Sequence, residues 1–169
     1  MRAPLENRSV WPGLAAFGLT LFLALLAYAV LGRAAGAGLV VINFPLVVLF
    51  LWSVRRPWFV SPPILLLVGL VQDLLTGAPM GVWALAYLAA FMVARNREAD
   101  GGGGDVGPVS ARFAVLGALA YAAAWAAGST AIGAPAAFGA LIGEGLLTIL
   151  LFPVFAWAFA RRRERSAFS

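Results

Sequence analysis

The stretch Val47-Val48-Leu49-Phe50-Leu51-Trp52-Ser53-Val54-Arg55-Arg56-Pro57-Trp58-Phe59-Val60-Ser61-Pro62-Pro63-Ile64-Leu65-Leu66-Leu67-Val68 decides the fold. An apolar run stops at two arginines, and a second apolar run begins a few residues later. Arg55, Arg56, Pro57 and Trp58 together read as a membrane–water interface, two charges beside an amphipathic ring. Ser61-Pro62-Pro63 reads as a helix start. Serine suits the N-cap, and proline suits a first turn whose N–H groups have no helical acceptor.

Working outward, five polar or turn-like breaks divide the 169 residues into six apolar stretches. The spans fall at about 11–31, 38–54, 62–75, 80–94, 113–131 and 138–160. With a cytoplasmic N-terminus, Arg2, Arg8, Arg55, Arg56, Arg95, Arg97, Arg112, Arg161, Arg162, Arg163 and Arg165 lie inside, and only Arg33 lies outside. Eleven of the 12 basic residues on one side is a strong positive-inside bias. The sequence therefore predicts an all-α polytopic membrane protein with six helices and both termini inside. It forms a single membrane domain over 1–169, with a cytoplasmic glycine-rich loop at 95–112.

Composition agrees. The chain is 63% hydrophobic and 11% charged, with a mean hydropathy of +0.94. A soluble domain of this size could not bury so much apolar surface, so the phospholipid bilayer is its solvent. The net charge of +5 sits at helix ends, where arginines meet phospholipid head groups. It gives no argument for nucleic acid. The chain has no Cys and no His, and all its basic residues are arginine. Thiolate and imidazole metal sites, Ser–His and Ser–Lys nucleophile pairs and disulfides are thereby excluded. The run Gly101 to Gly104 lies between Asp100 and Asp105, which would repel phosphate, and reads as a flexible linker. The expectation is a protein that is not an enzyme and carries no cofactor or metal.

The first apolar run is about 20 residues, beyond the ~7–15 of a signal-peptide core, so it reads as an uncleaved span. Pro45 is expected to kink span two. Spans three and four are each ~15 residues, or ~22 Å, short of a ~30 Å hydrocarbon core. Their connection, Thr76-Gly77-Ala78-Pro79, should dip below the outer surface and be covered by protein or line a wet cavity. Ala120, Ala124 and Gly128, and likewise Gly139 and Gly143, form small-residue stripes. These suit internal helix packing better than a homodimer seam.

With this topology the polar residues within spans gather in the outer half: Asn43, Gln72, Asp73, Ser129, Thr130 and Glu144. Three readings of the carboxylates stand side by side. Asp73 could cap the start of span four. Asp73 or Glu144 could pair with Arg33. Or both could line an outward pocket for a ligand or a partner's segment. An Asp/Glu acid–base pair is the weakest reading, since the sequences around the two carboxylates share no repeat.

One stretch resembles a known family. Arg56-Pro57-Trp58, Pro62-Pro63, Gly69-Leu70-Val71-Gln72-Asp73-Leu74-Leu75-Thr76-Gly77-Ala78-Pro79-Met80-Gly81 and Ala84-Leu85-Ala86-Tyr87-Leu88 are similar to the rod shape-determining protein MreD family. The family pattern is a Gly-Leu-x-x-Asp span end, a Gly-x-Pro-x-Gly turn and an Ala-Leu-x-Tyr-Leu span start. The resemblance implies a non-enzymatic scaffold in the inner (cytoplasmic) membrane of rod-shaped bacteria, acting in the elongasome that controls cell shape and peptidoglycan synthesis. Its implied partner is an MreC-like single-span protein. Through it come the MreB filament, the RodA glycosyltransferase and a class B penicillin-binding transpeptidase. The matched turn residues Asp73, Gly77, Pro79 and Gly81 are the candidate site residues, with Gln72, Asn43 and Glu144 as further pocket or partner candidates. The family also implies a fold similar to the S-components of energy-coupling-factor transporters. That supplies an alternative function, the substrate-binding S-component of a vitamin transporter. Against it, the polar residues are few for a vitamin, aromatics are sparse among them, and span one lacks an Ala-x-x-x-Ala docking pair.

Overall fold

Helices make up nearly all of the chain that the computed structural model describes, residues 11–35, 40–55, 57–95, 106–135 and 138–165. Arg2, Arg8, Arg56, Arg97 and the glycine run at 101–104 lie outside the described residues. In chain order the helices are α1 (Trp11–Ala35), α2 (Phe44–Arg55), α3 (Pro62–Thr76), α4 (Val82–Arg95), α5 (Val106–Ile132) and α6 (Phe138–Arg165). A 3-10 turn at Pro57–Phe59 joins α2 to α3, and no strand occurs among the described residues.

Three helices are long and apolar enough to cross a membrane, over Trp11–Ala34, Gly107–Ile132 and Gly139–Ala158. The helical membrane-protein class expected from composition is what the chain forms. The other three helices have 12, 15 and 14 residues, so they are only about 18–22 Å long. The main helix contacts run α1 to α3 to α4 to α5 to α6 to α2 and back to α1, closing a ring.

The two ends of the bundle differ. At the end where α1, α3 and α5 begin, the core is aromatic. Phe113 stacks on Phe152 at 3.9 Å between ring centres, and Phe50 meets both edge-on. Phe17, Trp52 and Phe59 form a second cluster beside them. The exposed Trp58 lies against Phe59 in the turn that follows Arg55, and Pro57 is exposed there too. At the opposite end the core is polar, and the site described below lies there.

Several boundaries differ from the sequence reading, each for a local reason. Span two was expected from residue 38, with Pro45 kinking it. Its helix begins at Phe44, after non-helical residues 40–43, and Pro45 is its second residue. There the missing N–H does no harm. The four N–H groups that every helix start leaves over are all accounted for. The Asn43 N–H bonds Thr148 Oγ1, Phe44 bonds the Ile42 carbonyl, and Pro45 has no N–H. Leu46 takes the Asn43 side-chain oxygen at 3.1 Å. Asn43 is thus the N-cap of a helix that starts inside the protein. Helix α5 begins at Val106, so the expected loop to Arg112 ends earlier. Ser61 has the extended backbone of an N-cap, with Pro62 and Pro63 following as expected, but its hydroxyl makes no capping bond.

Candidate functional site

The α3–α4 connection is built around Asp73. Helix α3 ends in the left-handed conformation at Gly77, φ 72°, and the N–H groups of Gly77 and Ala78 bond the Asp73 carbonyl. Gly81 is also left-handed, φ 96°. Both positions suit glycine because a side chain there is strained. The chain then returns so that the Asp73 carboxylate accepts the Gly81 N–H at 2.8 Å and the Trp83 N–H at 3.1 Å. These are free donors at the start of α4, where the helix dipole also favours an anion. Capping is therefore what Asp73 does. One turn before it, Gly69 faces the same way. A Cβ there would come within 2.3 Å of the Ala84 backbone, so α3 and α4 touch backbone to backbone. Gly69 and Asp73, four residues apart, form one face: the glycine lets α4 approach and the carboxylate caps it. Pro79 accepts the Val82 N–H on its carbonyl, closing the turn, and Met80 points outward, 63% exposed.

Beside this turn lies a buried polar layer. Asn43, Gln72 and Thr148 are fully buried. The Asn43 N–H donates to Thr148 Oγ1 at 3.0 Å. The Thr148 hydroxyl lies 3.4 Å from the Tyr121 hydroxyl, which donates to Glu144 Oε1 at 3.0 Å. The Tyr28 hydroxyl donates to the same oxygen at 2.8 Å. On the other side the Tyr87 hydroxyl bridges Asn43 Oδ1, at 3.1 Å, and the Gln72 amide. One phenol proton cannot serve two acceptors. Asn43 Oδ1 already accepts from Leu46, so it also takes this proton. A half-turn of the Gln72 amide, whose two ends have the same shape, then lets its nitrogen donate to the Tyr87 oxygen. Asn43 Nδ2 and the end of the Gln72 amide away from Tyr87 are buried without a hydrogen-bond partner among the described residues.

Thus Asn43, Gln72 and Glu144, expected near one another, do meet in one network. Asp73 stands apart from it with its own partners. Thr130 bonds the Ala127 carbonyl of its own helix, and Ser129 is half-buried near the end of α5. All three tyrosines of the chain take part, yet Tyr28, Tyr121 and Thr148 were not singled out from sequence. The available signal was chemical: a phenol placed in an apolar span needs an acceptor.

Arg33 pairs with neither carboxylate. It donates to the Leu75 carbonyl at 3.4 Å, at the C-terminal end of α3, where a cation is favoured by the helix dipole. Asp73 has its oxygens on the start of α4, and Glu144 has one oxygen between two phenols. Arg33 and Glu144 do share a cavity of about 530 Å³, also lined by Tyr28, Val40, Leu74 and Thr76. Val40 and Val41, which precede the start of α2, form one wall of it. A second depression, of about 540 Å³, runs along α3 from Pro62 to Leu74 with only apolar walls.

The small-residue stripe of α5 packs internally, as expected: Ala120, Ala124 and Gly128 are buried. On α6, a Cβ at Gly143 would press on Val40, whereas one at Gly139 would meet nothing. Among the described residues no cluster of His, Cys, Asp and Glu is placed to hold a metal. The chain matches no protein-family profile, no curated protein and no solved structure.

Proposed function

We propose that the chain is a six-span scaffold of the bacterial inner membrane, of the MreD type, that holds an MreC-like single-span partner within the elongasome and does no chemistry itself. The observation that carries this reading is the Asp73-clamped turn. Gly69, Asp73, Gly77, Pro79 and Gly81, the residues of the resemblance, each have a mechanical task in it. Together they hold an exposed Met80 on a fixed backbone at the end of two short helices. A rigid projection of this kind suits docking, because little conformational freedom is lost when a partner lands on it. By the arginine distribution the turn lies on the outer face, where the first extracellular residues of a single-span partner emerge. The S-component alternative would place a vitamin in the 530 Å³ cavity. Its polar lining of Arg33, Glu144, Tyr28 and Thr76 is sparse for so polar a ligand, and the scaffold reading is preferred.

Site-specific crosslinking tests it. The chain has no native cysteine, so Met80→Cys introduces a single reactive position. In rod-shaped cells expressing the full chain, a crosslink to the outer juxtamembrane part of an MreC-like protein is expected. Crosslinks formed only through cysteines placed between α4 and α5, at 96–105, would overturn the outer docking site. Crosslinks only to a transporter's energising subunits would favour the alternative.

A further inference from the structure

We propose that the Arg33–Glu144 cavity and the apolar groove along α3 form one binding site for a zwitterionic phospholipid whose head group carries a phosphate and a primary ammonium. Capping accounts for Asn43 and Asp73, and Gln72 and Thr148 satisfy their neighbours. Arg33 and Glu144, the charged residues in the cavity wall, are only partly used by the contacts they make. Each has binding capacity to spare. Among the described residues Arg33 uses one of its five N–H donors, on Leu75. Glu144 accepts both tyrosine hydroxyls on Oε1, and Oε2 makes no hydrogen bond among the described residues. A guanidinium suits a phosphate, and a carboxylate held at a fixed oxygen suits an ammonium.

Leu74 lines both depressions, so the polar cavity and the apolar groove adjoin at that side chain. The groove follows α3 through Pro63, Leu67, Leu70 and Leu74, about 16 Å by rise per residue. Head group in the cavity and one acyl chain in the groove is an occupancy that a free zwitterion could not supply. The depth fits as well. Helix α6 has 28 residues, or ~42 Å, which matches a bilayer with its head-group zones, ~40–45 Å. Glu144, six residues in from Phe138, lies ~9 Å from that end, at the lower edge of the head-group zone. Phosphatidylglycerol offers Glu144 hydroxyls but no ammonium to balance its charge. A choline lipid offers it no N–H, and a quaternary ammonium needs an aromatic cage, whereas among the described residues Tyr28 is the only aromatic one in this lining.

The test is native mass spectrometry of the full chain, delipidated and then re-equilibrated with equal parts of phosphatidylethanolamine, phosphatidylglycerol and phosphatidylcholine of the same chains. Wild type should retain the ethanolamine lipid at least about fivefold over the other two. Glu144→Gln keeps an acceptor for both tyrosines and so should fold. It should erase the preference for ethanolamine over choline while lipid is still bound. Arg33→Gln should lower retention of all three, and Leu70→Trp, which fills the groove, should do the same. Equal retention of the three lipids by wild type, or an unchanged preference in Glu144→Gln, would overturn the proposal. Competition by glycerophosphoethanolamine at concentrations matching the intact lipid would also overturn it, by showing a small-molecule site without the groove. If Leu70→Trp leaves lipid retention intact but blocks co-purification of a single-span protein, the groove belongs to a partner helix and the proposal fails.

Discussion

At the scale of single residues, the glycines divide by what stands opposite them. A methyl group at Gly69 would collide with the Ala84 backbone, which cannot rotate away, whereas one at Gly18 would meet nothing within 4 Å. Gly69→Ala should therefore destabilise by about 3 kcal/mol or more, at the upper end of overpacking effects. Gly18→Ala should be neutral or stabilising by about 0.5–1 kcal/mol through helix propensity. Thermal unfolding in detergent separates the two, and equal midpoints would refute the backbone contact. Asp73 gives a graded case. Asp73→Ala removes the acceptor for two N–H groups and should cost about 1–3 kcal/mol. Asp73→Asn keeps one oxygen and should fall between it and wild type. If Asp73→Asn unfolds at the same temperature as Asp73→Ala, the carboxylate acts by its charge and not by its two acceptors. The cap at Asp73 was among the readings that sequence offered, because an acid before a glycine turn and a helix start has few other uses in an apolar span. Its pairing with Arg33 was legible only as an alternative, since sequence does not say which oxygen a distant arginine reaches.

Among the elements, α2 departs most from expectation, and the reason is instructive. Hydropathy is blind to helix starts, so residues 38–43 read as part of a span. The capping grammar was present in Asn43 and Pro45, but in an apolar run Asn43 passed for a pocket residue and Pro45 for a kink. At Ser61-Pro62-Pro63 the same grammar marked a true helix start, although the Ser61 hydroxyl makes no capping bond. A helix that begins within the protein has no water to satisfy its first N–H groups, so its cap carries more weight than a surface cap. Asn43→Ala strands the Leu46 N–H and takes an acceptor from Tyr87. Loss of a cap costs about 0.5–2 kcal/mol, and burial places this one at the high end. Hydrogen exchange should show it locally: the Leu46 amide exchanges faster in Asn43→Ala while amides in the middle of α5 do not change. Acceleration spread evenly over α2 and α5 would mean that the variant loosens the whole bundle and that the cap has no local role.

For the molecule as a whole, three long and three short helices share one ring, and this mixture explains where its polar residues sit. A short helix that ends below the surface leaves backbone groups without water, and protein must satisfy them. Asn43, Asp73, Gln72 and Thr148 lie where α2 and α4 begin and α3 ends, and the opposite end is sealed by Phe50, Phe113 and Phe152. The sequence pattern already showed polar residues gathered toward one end, but which of them touch depended on ring order, to which hydropathy is blind. The arginine distribution predicts that this polar end faces outside, and reporter fusions test it. Reporter fusions after Ser169 and within 101–104 should both read cytoplasmic, and a fusion in the 77–81 turn should read external. Arg33→Gln should leave every reading unchanged, because removing the one outer arginine strengthens the bias. Replacing Arg55 with Gln together with Arg56 should weaken it, so that a fusion after Val60 reads from both sides. An external reading at Ser169 would make the number of crossings odd. A cytoplasmic reading in the 77–81 turn would place the Met80 projection and the Arg33–Glu144 cavity on the inner leaflet, and the outer docking of a partner would fall with it.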